Sequence, residues 1–303
     1  MGGQPHGAAA AGRGARAGRS VIQEPEPGSP AGPEATCGSV TAVHTSFYEP
    51  AGPDAWAATD ATVGPWSPDA QHGGPPTALT ARIMEAWEPV PGQRLASVSV
   101  DILRPVPVGK LTSRTRTVRP GRRVMLIETV LESGGQEVLC ARGWRIETAA
   151  APVPVTPPLV PPPPVPPDEA SDRMPEGVTW HGYRTAMEWR FVTGGGIDQA
   201  GPAMAWMRPR IPLLPGEDTS PMCRALLVAD SGNGISAVLD VRQYVFINVN
   251  LAVMLHRDPG GEWICMDAVT AAGAQGTGVA ASVLSDVAGP CGRGMQSLLV
   301  APR

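Results

Sequence analysis

The sequence predicts an α+β fold built twice, and three observations carry that prediction. Each half holds one amphipathic helical pattern followed by four strand-like runs, a proline-rich stretch separates the halves, and related text recurs in both. Length agrees, because 303 residues exceed one ordinary domain and suit two plus non-globular segments.

Hydrophobic residues make up 42 %, yet Phe and Tyr number three each beside eight Trp, so the core falls to Val, Leu, Ala, Met and Trp. Net charge is −4 with the basic residues mostly scattered Arg rather than a stripe, which argues against a nucleic-acid groove. The five cysteines form no Cys-x-x-Cys pair, so neither a disulfide framework nor a structural zinc site is expected. No apolar run approaches the roughly 18 residues of a membrane span, and the Arg-containing start leads into no apolar signal core. A cytoplasmic protein is the expectation.

Residues 1–42 read as a disordered tail: the first 38 are mainly Gly, Ala, Arg, Pro and Glu with few large apolar side chains. A start assigned too early would give the same composition. The first repeat is expected over residues 43–148. It opens with short strands at Ser46–Pro50 and Trp56–Thr62. A helix follows, entered through His72-Gly73-Gly74-Pro75-Pro76, with Leu79, Ile83, Ala86 and Trp87 on one face and Pro89 and Pro91 beyond its end. Strands are predicted at Leu95–Leu103, Lys110–Val118, Val124–Leu131 and Glu137–Ile146. Arg-Pro-Gly-Arg and Ser-Gly-Gly-Gln between the later ones are hairpin-type turns, so the sheet is antiparallel. Residues 149–177 form a Pro-rich linker.

The second repeat, residues 178–303, repeats the order. Strands are predicted at Ala186–Phe191 and Met204–Ile211, a helix at Pro221–Asp230, then strands at Tyr244–His256, Trp263–Ala271, Gly276–Leu284 and Gly292–Val300. Cys140–Ile146 aligns with Gly294–Val300 at a constant offset. In the helix, Ser220 is the N-cap, Pro221 occupies the first turn, Met222, Ala225, Leu226 and Ala229 form the buried stripe, and Gly232 and Gly234 are expected to stop it.

Asp230 then falls in the last turn, where the helix dipole disfavours a carboxylate by up to about 1 kcal/mol. It reads as a solvated turn residue or as a functional acid whose pKa burial and dipole would raise. On Tyr244–Leu255, simple alternation puts Asn248 and Asn250 on one face with Phe246, as solvated amides or as site residues. Gln296, beside Leu298-Leu299-Val300, is either a polar insertion in a buried strand or an edge residue. The bare N–H groups of Gly73 and Gly74 can hold a carbonyl oxygen or an anion, or they simply make a glycine-rich helix start. His72 has no carboxylate partner nearby in sequence, and His256 is expected to pack against or line the site. Ser231 and Ser297 lack the Gly-x-Ser-x-Gly elbow, which sets a serine hydrolase aside.

Together, His72-Gly73-Gly74, Asp230-Ser231-Gly232-Asn233-Gly234, Phe246-Ile247-Asn248 to His256-Arg257, and Arg293–Leu299 resemble the acyl-CoA thioesterase II family and its thioesterase-like relatives. The resemblance runs from about residue 43 to the C-terminus, leaving out the Pro-rich stretch. It implies a double hotdog, two repeats each with a long helix wrapped by an antiparallel sheet. It also implies cofactor-free hydrolysis of acyl-CoA or acyl-carrier thioesters, in fatty acid metabolism. In that family an Asp ending the second-repeat helix, a Thr or Ser on the next strand and a Gln on the last strand hold the hydrolytic water. Asp230 and Gln296 match, whereas counting back from His256-Arg257 puts Asn248 at the third position. The expected catalytic set is therefore Asp230, Gln296 and Asn248, with His72, Gly73 and Gly74 on the substrate and no metal. The missing hydroxyl leaves open a protein that binds acyl ligands without turnover. A homo-oligomer joined through the sheets is a candidate assembly.

Overall fold

The computed structural model describes residues 44–157, 160–168, 181–195 and 199–303, so the expected tail and part of the expected linker lie outside the described residues. The first half runs β1 (Tyr48–Gly52), β2 (Ala55–Ala58), α1 (Gly74–Ala86), β3 (Gln93–Ile102), β4 (Lys110–Arg119), β5 (Val124–Ser133) and β6 (Gln136–Glu147). The second runs α2 (Tyr183–Ala186), β7 (Met187–Thr193), β8 (Ala203–Pro209), α3 (Pro221–Ala229), α4 (Gly232–Ile235), β9 (Tyr244–Asn248), β10 (Asn250–Leu255), β11 (Ile264–Ala272), β12 (Thr277–Asp286) and β13 (Gly289–Pro302).

Among the described residues all strands join one antiparallel sheet in the order β1-β2-β4-β5-β6-β3-β10-β13-β12-β11-β8-β7, with β9 also on β13. Read outward from the β3·β10 seam, each half presents its strands in the same order, so an internal two-fold passes between β3 and β10. Pairing across that seam removes the open edge each half would otherwise expose. Val98 faces Val253 there.

One sheet face is apolar because alternate residues point inward: Val98 and Val100 on β3, Ile127 and Leu131 on β5, Leu251 and Val253 on β10. On this face lie α1 and α3. Their contact stripe is small, with Ala78, Ala81, Ala225 and Ala229 buried, so the two backbones come close. Cys223 Sγ is 3.3 Å from the Ala78 carbonyl, and a Cβ on Gly74 would stand 2.7 Å from the Leu227 carbonyl. The helices are therefore antiparallel, with the start of α1 beside the end of α3. Fully burying Leu79, Leu226 or Leu227 stabilises by about 1.5–3 kcal/mol each.

Tyr244–His256 is not one strand. Asn248 pairs with Leu298, but Ala252 pairs with Met295, so four residues on one strand oppose three on the other, a bulge at Val249. The extra residue switches the faces: Phe246 and Asn248 point inward before it, and Leu251, Val253 and Leu255 after it. Asn250 thus leaves the face it was expected to share with Asn248. Its Oδ1 accepts the Ser297 N–H at 2.7 Å, filling the gap in the ladder.

The repeat alignment also shifts by three residues. Val98 pairs with Gly143 and Val253 with Gly294, and because Val98 and Val253 meet on the two-fold, Gly143 is the counterpart of Gly294. Cys140-Ala141-Arg142-Gly143 then matches Cys291-Gly292-Arg293-Gly294, and Arg145 takes the place of Gln296. An odd shift turns every side chain to the other face, so the expected pairing of Cys140 with Gly294 is excluded by the pleat.

Two smaller expectations change. Thr59 Oγ1 donates to the Ser46 and Phe47 carbonyls and ends β2 early, leaving Asp60–Thr62 as a 3-10 turn instead of strand. Gly232 and Gly234 do not stop the chain after α3 but belong to the extra turn α4. Gly232 is bare for another reason: a Cβ there would lie 2.9 Å from Gln296 Oε1.

Candidate active site

Asp230 is the C-cap of α3, the residue after a helix nucleated by Ser220, whose Oγ accepts the Cys223 N–H. A carboxylate there opposes the dipole of its own helix. Antiparallel packing answers the objection, because the end of α3 abuts the start of α1, whose positive pole and Gly74 N–H face the acid. Gly73 makes the approach possible: a Cβ at that position would lie 2.8 Å from both carboxylate oxygens.

Four donors converge on the buried carboxylate. His72 Nδ1 is 3.0 Å from Oδ2, Asn248 Nδ2 donates to Oδ1 at 2.8 Å, Gln296 Nε2 reaches Oδ1 at 3.4 Å, and the Gly74 N–H completes the set. The Gly74 N–H also lies 3.2 Å from His72 Nδ1. A proton on Nδ1 is what lets the ring donate to the carboxylate, and the amide proton then belongs to Asp230. Burial pushes the Asp230 carboxyl up, but the His72 charge and hydrogen bond, Asn248 and Gly74 together outweigh it, so the acid is held below its ordinary range. The expected upward shift is thus corrected, and the reason is long-range: His72 does have a carboxylate partner, supplied by the other repeat.

Gln296 is fixed at both ends. Its Nε2 donates to the Asp230 carbonyl at 3.0 Å while its Oε1 accepts the Asn233 N–H at 3.1 Å, and Asn233 Nδ2 donates to the Phe246 carbonyl at 3.0 Å. The bulge at Val249 is what leaves Asn248 inward at the end of β9.

The structure brings together Asp230, Asn248, Gln296, His72, Gly73 and Gly74. It leaves His256 exposed and away from them, and Arg257 holds Asp286 in the turn region instead. Sequence reasoning missed Asn233, although it lies inside the quoted Asp-Ser-Gly-Asn text. It also missed Tyr183, whose ring stacks on His72 with centroids 3.7 Å apart. No local signal marks that tyrosine.

Two clefts lie elsewhere. One of about 690 Å³ is lined by Trp56, Arg82, Ile83, Trp87, Arg116 and Leu214, among others, and starts about 12 Å along α1 from Gly74. The other, about 230 Å³, lies at the far end of the helix pair beside Glu85, Arg94 and Arg145. Arg82 and Arg116 on the wall of the larger cleft are each paired with a glutamate.

A long helix on the inner face of an antiparallel sheet, built twice in one chain, defines the double hotdog class. Residues 62–146 match the acyl-CoA thioesterase N-terminal domain and residues 160–300 the acyl-CoA thioesterase C-terminal domain, and the chain belongs to that family. No curated protein matches the sequence. Among solved structures it is similar to a protein assigned as a thioesterase II from Thermobifida fusca YX, with TM-score 0.64 and 18 % identity over 85 % of this chain and 96 % of that one. It is also similar to a hot dog fold protein from Alicyclobacillus acidocaldarius, with TM-score 0.62 and 14 % identity over 82 % and 93 %. An acyl-CoA thioesterase II, TesB2, from Mycobacterium marinum follows at TM-score 0.58 and 14 % identity over 82 % and 92 %. At such identities these structures speak for the fold. Among the described residues no helix is long and apolar enough to cross a membrane.

Proposed function

We propose that the protein hydrolyses acyl-CoA or acyl-carrier thioesters in the cytoplasm, within fatty acid metabolism, by water held at Asp230 and Gln296. The observation that carries this reading is the convergence of three side chains, Asn248, Gln296 and His72, each from a separate element, on the buried carboxylate of Asp230. A carboxylate offers about four lone-pair sites, and four donors already address them. The weakest, Gln296 at 3.4 Å, is the one an attacking water displaces. Gln296 and Asn248 then donate to the water or to the developing oxyanion, and the positive pole of α1 favours negative charge at the same place. Asp230 orients the water, takes its proton as the water oxygen bonds to the thioester carbon, and returns that proton to the thiolate released when the C–S bond breaks, while the Nδ1–H of His72 steadies the carboxylate.

The domain division proposed is a first repeat over 43–148, a linker over 149–177 and a second repeat over 178–303. Four cysteines among the described residues carry free thiols, which supports a reducing compartment.

Thiol release from a panel of acyl-CoAs, followed with a thiol-reactive dye, tests the activity. Asn248 favours a second reading, a protein that binds acyl ligands without turnover, because its amide occupies Asp230 Oδ1 at 2.8 Å where a hydroxyl could also accept. The catalytic reading expects turnover in the wild type and equal or higher turnover in Asn248→Thr. Acyl-CoA binding without thiol release at any chain length would establish the second.

A second copy of this chain is the proposed partner, stacked on the outer sheet face. There Met295 is 55 % exposed between Ala252 and Ala281, with Met254 and Val269 also exposed. Arg293 and Asp267 lie on one cross-strand row, separated by Val283, and neither is in an ion pair among the described residues, so a two-fold stack can pair them between copies. Light scattering is expected to give a dimer or larger assembly, reduced to monomer by Met295→Glu. A monomeric wild type at tens of micromolar would refute it.

A further inference from the structure

Tyr183 is buried yet takes no part in the carboxylate cluster, and its polar bonds and its stacked ring lead to the two segments that build it. Its ring lies flat on the His72 imidazole, 3.7 Å between centroids with 7° between planes. The phenol hydroxyl donates to the Leu227 carbonyl in the last turn of α3 at 2.6 Å and accepts from Ser231 Oγ at 3.0 Å. Leu227 can only accept, so the single phenolic proton goes there. At its other end the Tyr183 N–H donates to the Val63 carbonyl at 3.0 Å, one residue from Thr62, whose carbonyl accepts the His72 N–H at 2.8 Å. Gly182, with φ 68°, lets the backbone close on Val63, since a Cβ there would stand 2.5 Å from the Val63 carbonyl. Trp189, edge-on at 6.2 Å, and Phe47, tilted at 6.4 Å, pack around the phenol ring.

We propose that Tyr183 is the positioning residue of the candidate site, a brace that fixes the plane of the His72 ring so that Nδ1 addresses Asp230. A histidine χ2 torsion is broad and roughly two-fold, so a single hydrogen bond leaves the ring free to tilt. Stacking removes that freedom, and the hydroxyl ties the stack to the helix that carries Asp230. Tyr183 touches neither the carboxylate nor the place of the water, so its effect passes through His72.

This assignment rests on the thioesterase reading, and two measurements keep them separable. The first is a double-mutant cycle on thiol release. Tyr183→Leu is expected to lower kcat by about 10²-fold with KM within about threefold, the scale of an orientation error at a reacting group. In a His72→Asn background the same change is expected to cost less than about threefold, because the ring it orients is gone. Equal losses in both backgrounds, or none in either, overturn the proposal. The second needs no turnover: nitrogen-detected NMR of the His72 imidazole, whose Nδ1 proton, hydrogen-bonded to Asp230, is expected in wild type and lost or broadened in Tyr183→Leu. An unchanged signal overturns the proposal even if no substrate is ever hydrolysed. Tyr183→Met, which fills similar volume without a ring, replaces the leucine variant if that one does not fold.

Discussion

Asp230→Asn is expected to lower thioester hydrolysis by about 10³-fold or more, because it removes the fixed charge and the acceptor that orient water together. It is also expected to destabilise the protein, which reverses what a helix C-terminus alone suggests. An acid at that end should be a liability, and its removal neutral or slightly favourable. In the folded chain the same carboxylate accepts from His72, Asn248, Gln296 and the start of α1. An asparagine keeps one acceptor and points an NH₂ at groups that are themselves donors, at a cost of about 1–3 kcal/mol. The pH dependence has a definite sign. Asp230 is held below its ordinary pKa by its partners, against the burial that raises it, so its stabilisation is present above the unfolded value near 4 and is lost as pH falls through the folded value. Urea melts of wild type and variant should therefore differ by a constant amount at neutral pH and converge in acid. A difference that stayed constant below about pH 4 would mean that Asp230 is not ionised in the fold.

Helical periodicity, proline and glycine punctuation and hairpin turns are local, so the elements and the duplication were legible. Asp230, Asn248 and Gln296 were found because family text lies around each. What local pattern cannot carry is which element faces which. The helix dipole argument for Asp230 failed because the pole of α1 was invisible, and His72 lacked a partner because its carboxylate lies in the other repeat. The bulge at Val249 carries no glycine or proline to announce it, yet it decides that Asn248 points in and Asn250 does not. Register failed similarly: the apolar run ending β13 drew the alignment three residues off, although the shared Cys-x-Arg-Gly text marks the true frame.

That frame leads to the second large effect. Arg145 occupies in the first repeat the place of Gln296 in the second, and both cap the end of their own half's helix. Gln296 donates to the Asp230 carbonyl, while the buried Arg145 guanidinium donates to the Glu88 carbonyl at 2.9 Å and to the Met84 and Trp87 carbonyls. A cation at the negative pole of α1 is favourable both to the dipole and to its unpaired carbonyls. Burial raises the carboxyl of nearby Glu85 above its ordinary range, and the bond from Ser220 Oγ and the charges of Arg82 and Arg145 offset only part of that rise. Arg145→Ala leaves those carbonyls without donors, removes a counter-charge from Glu85 and opens a void, so a loss of about 3–5 kcal/mol is expected, a large part of a typical total of about 5–15 kcal/mol. Arg145→Gln should cost clearly less, because Gln296 shows that a glutamine at this strand position reaches a helix-end carbonyl. Both variants alter the end of α1 remote from Asp230, so kcat per folded molecule should be unchanged. Denaturant midpoints at equal slope provide the measurement. An alanine variant within about 1 kcal/mol of wild type would show that the three carbonyl bonds only replace water, and that packing alone holds the end of α1.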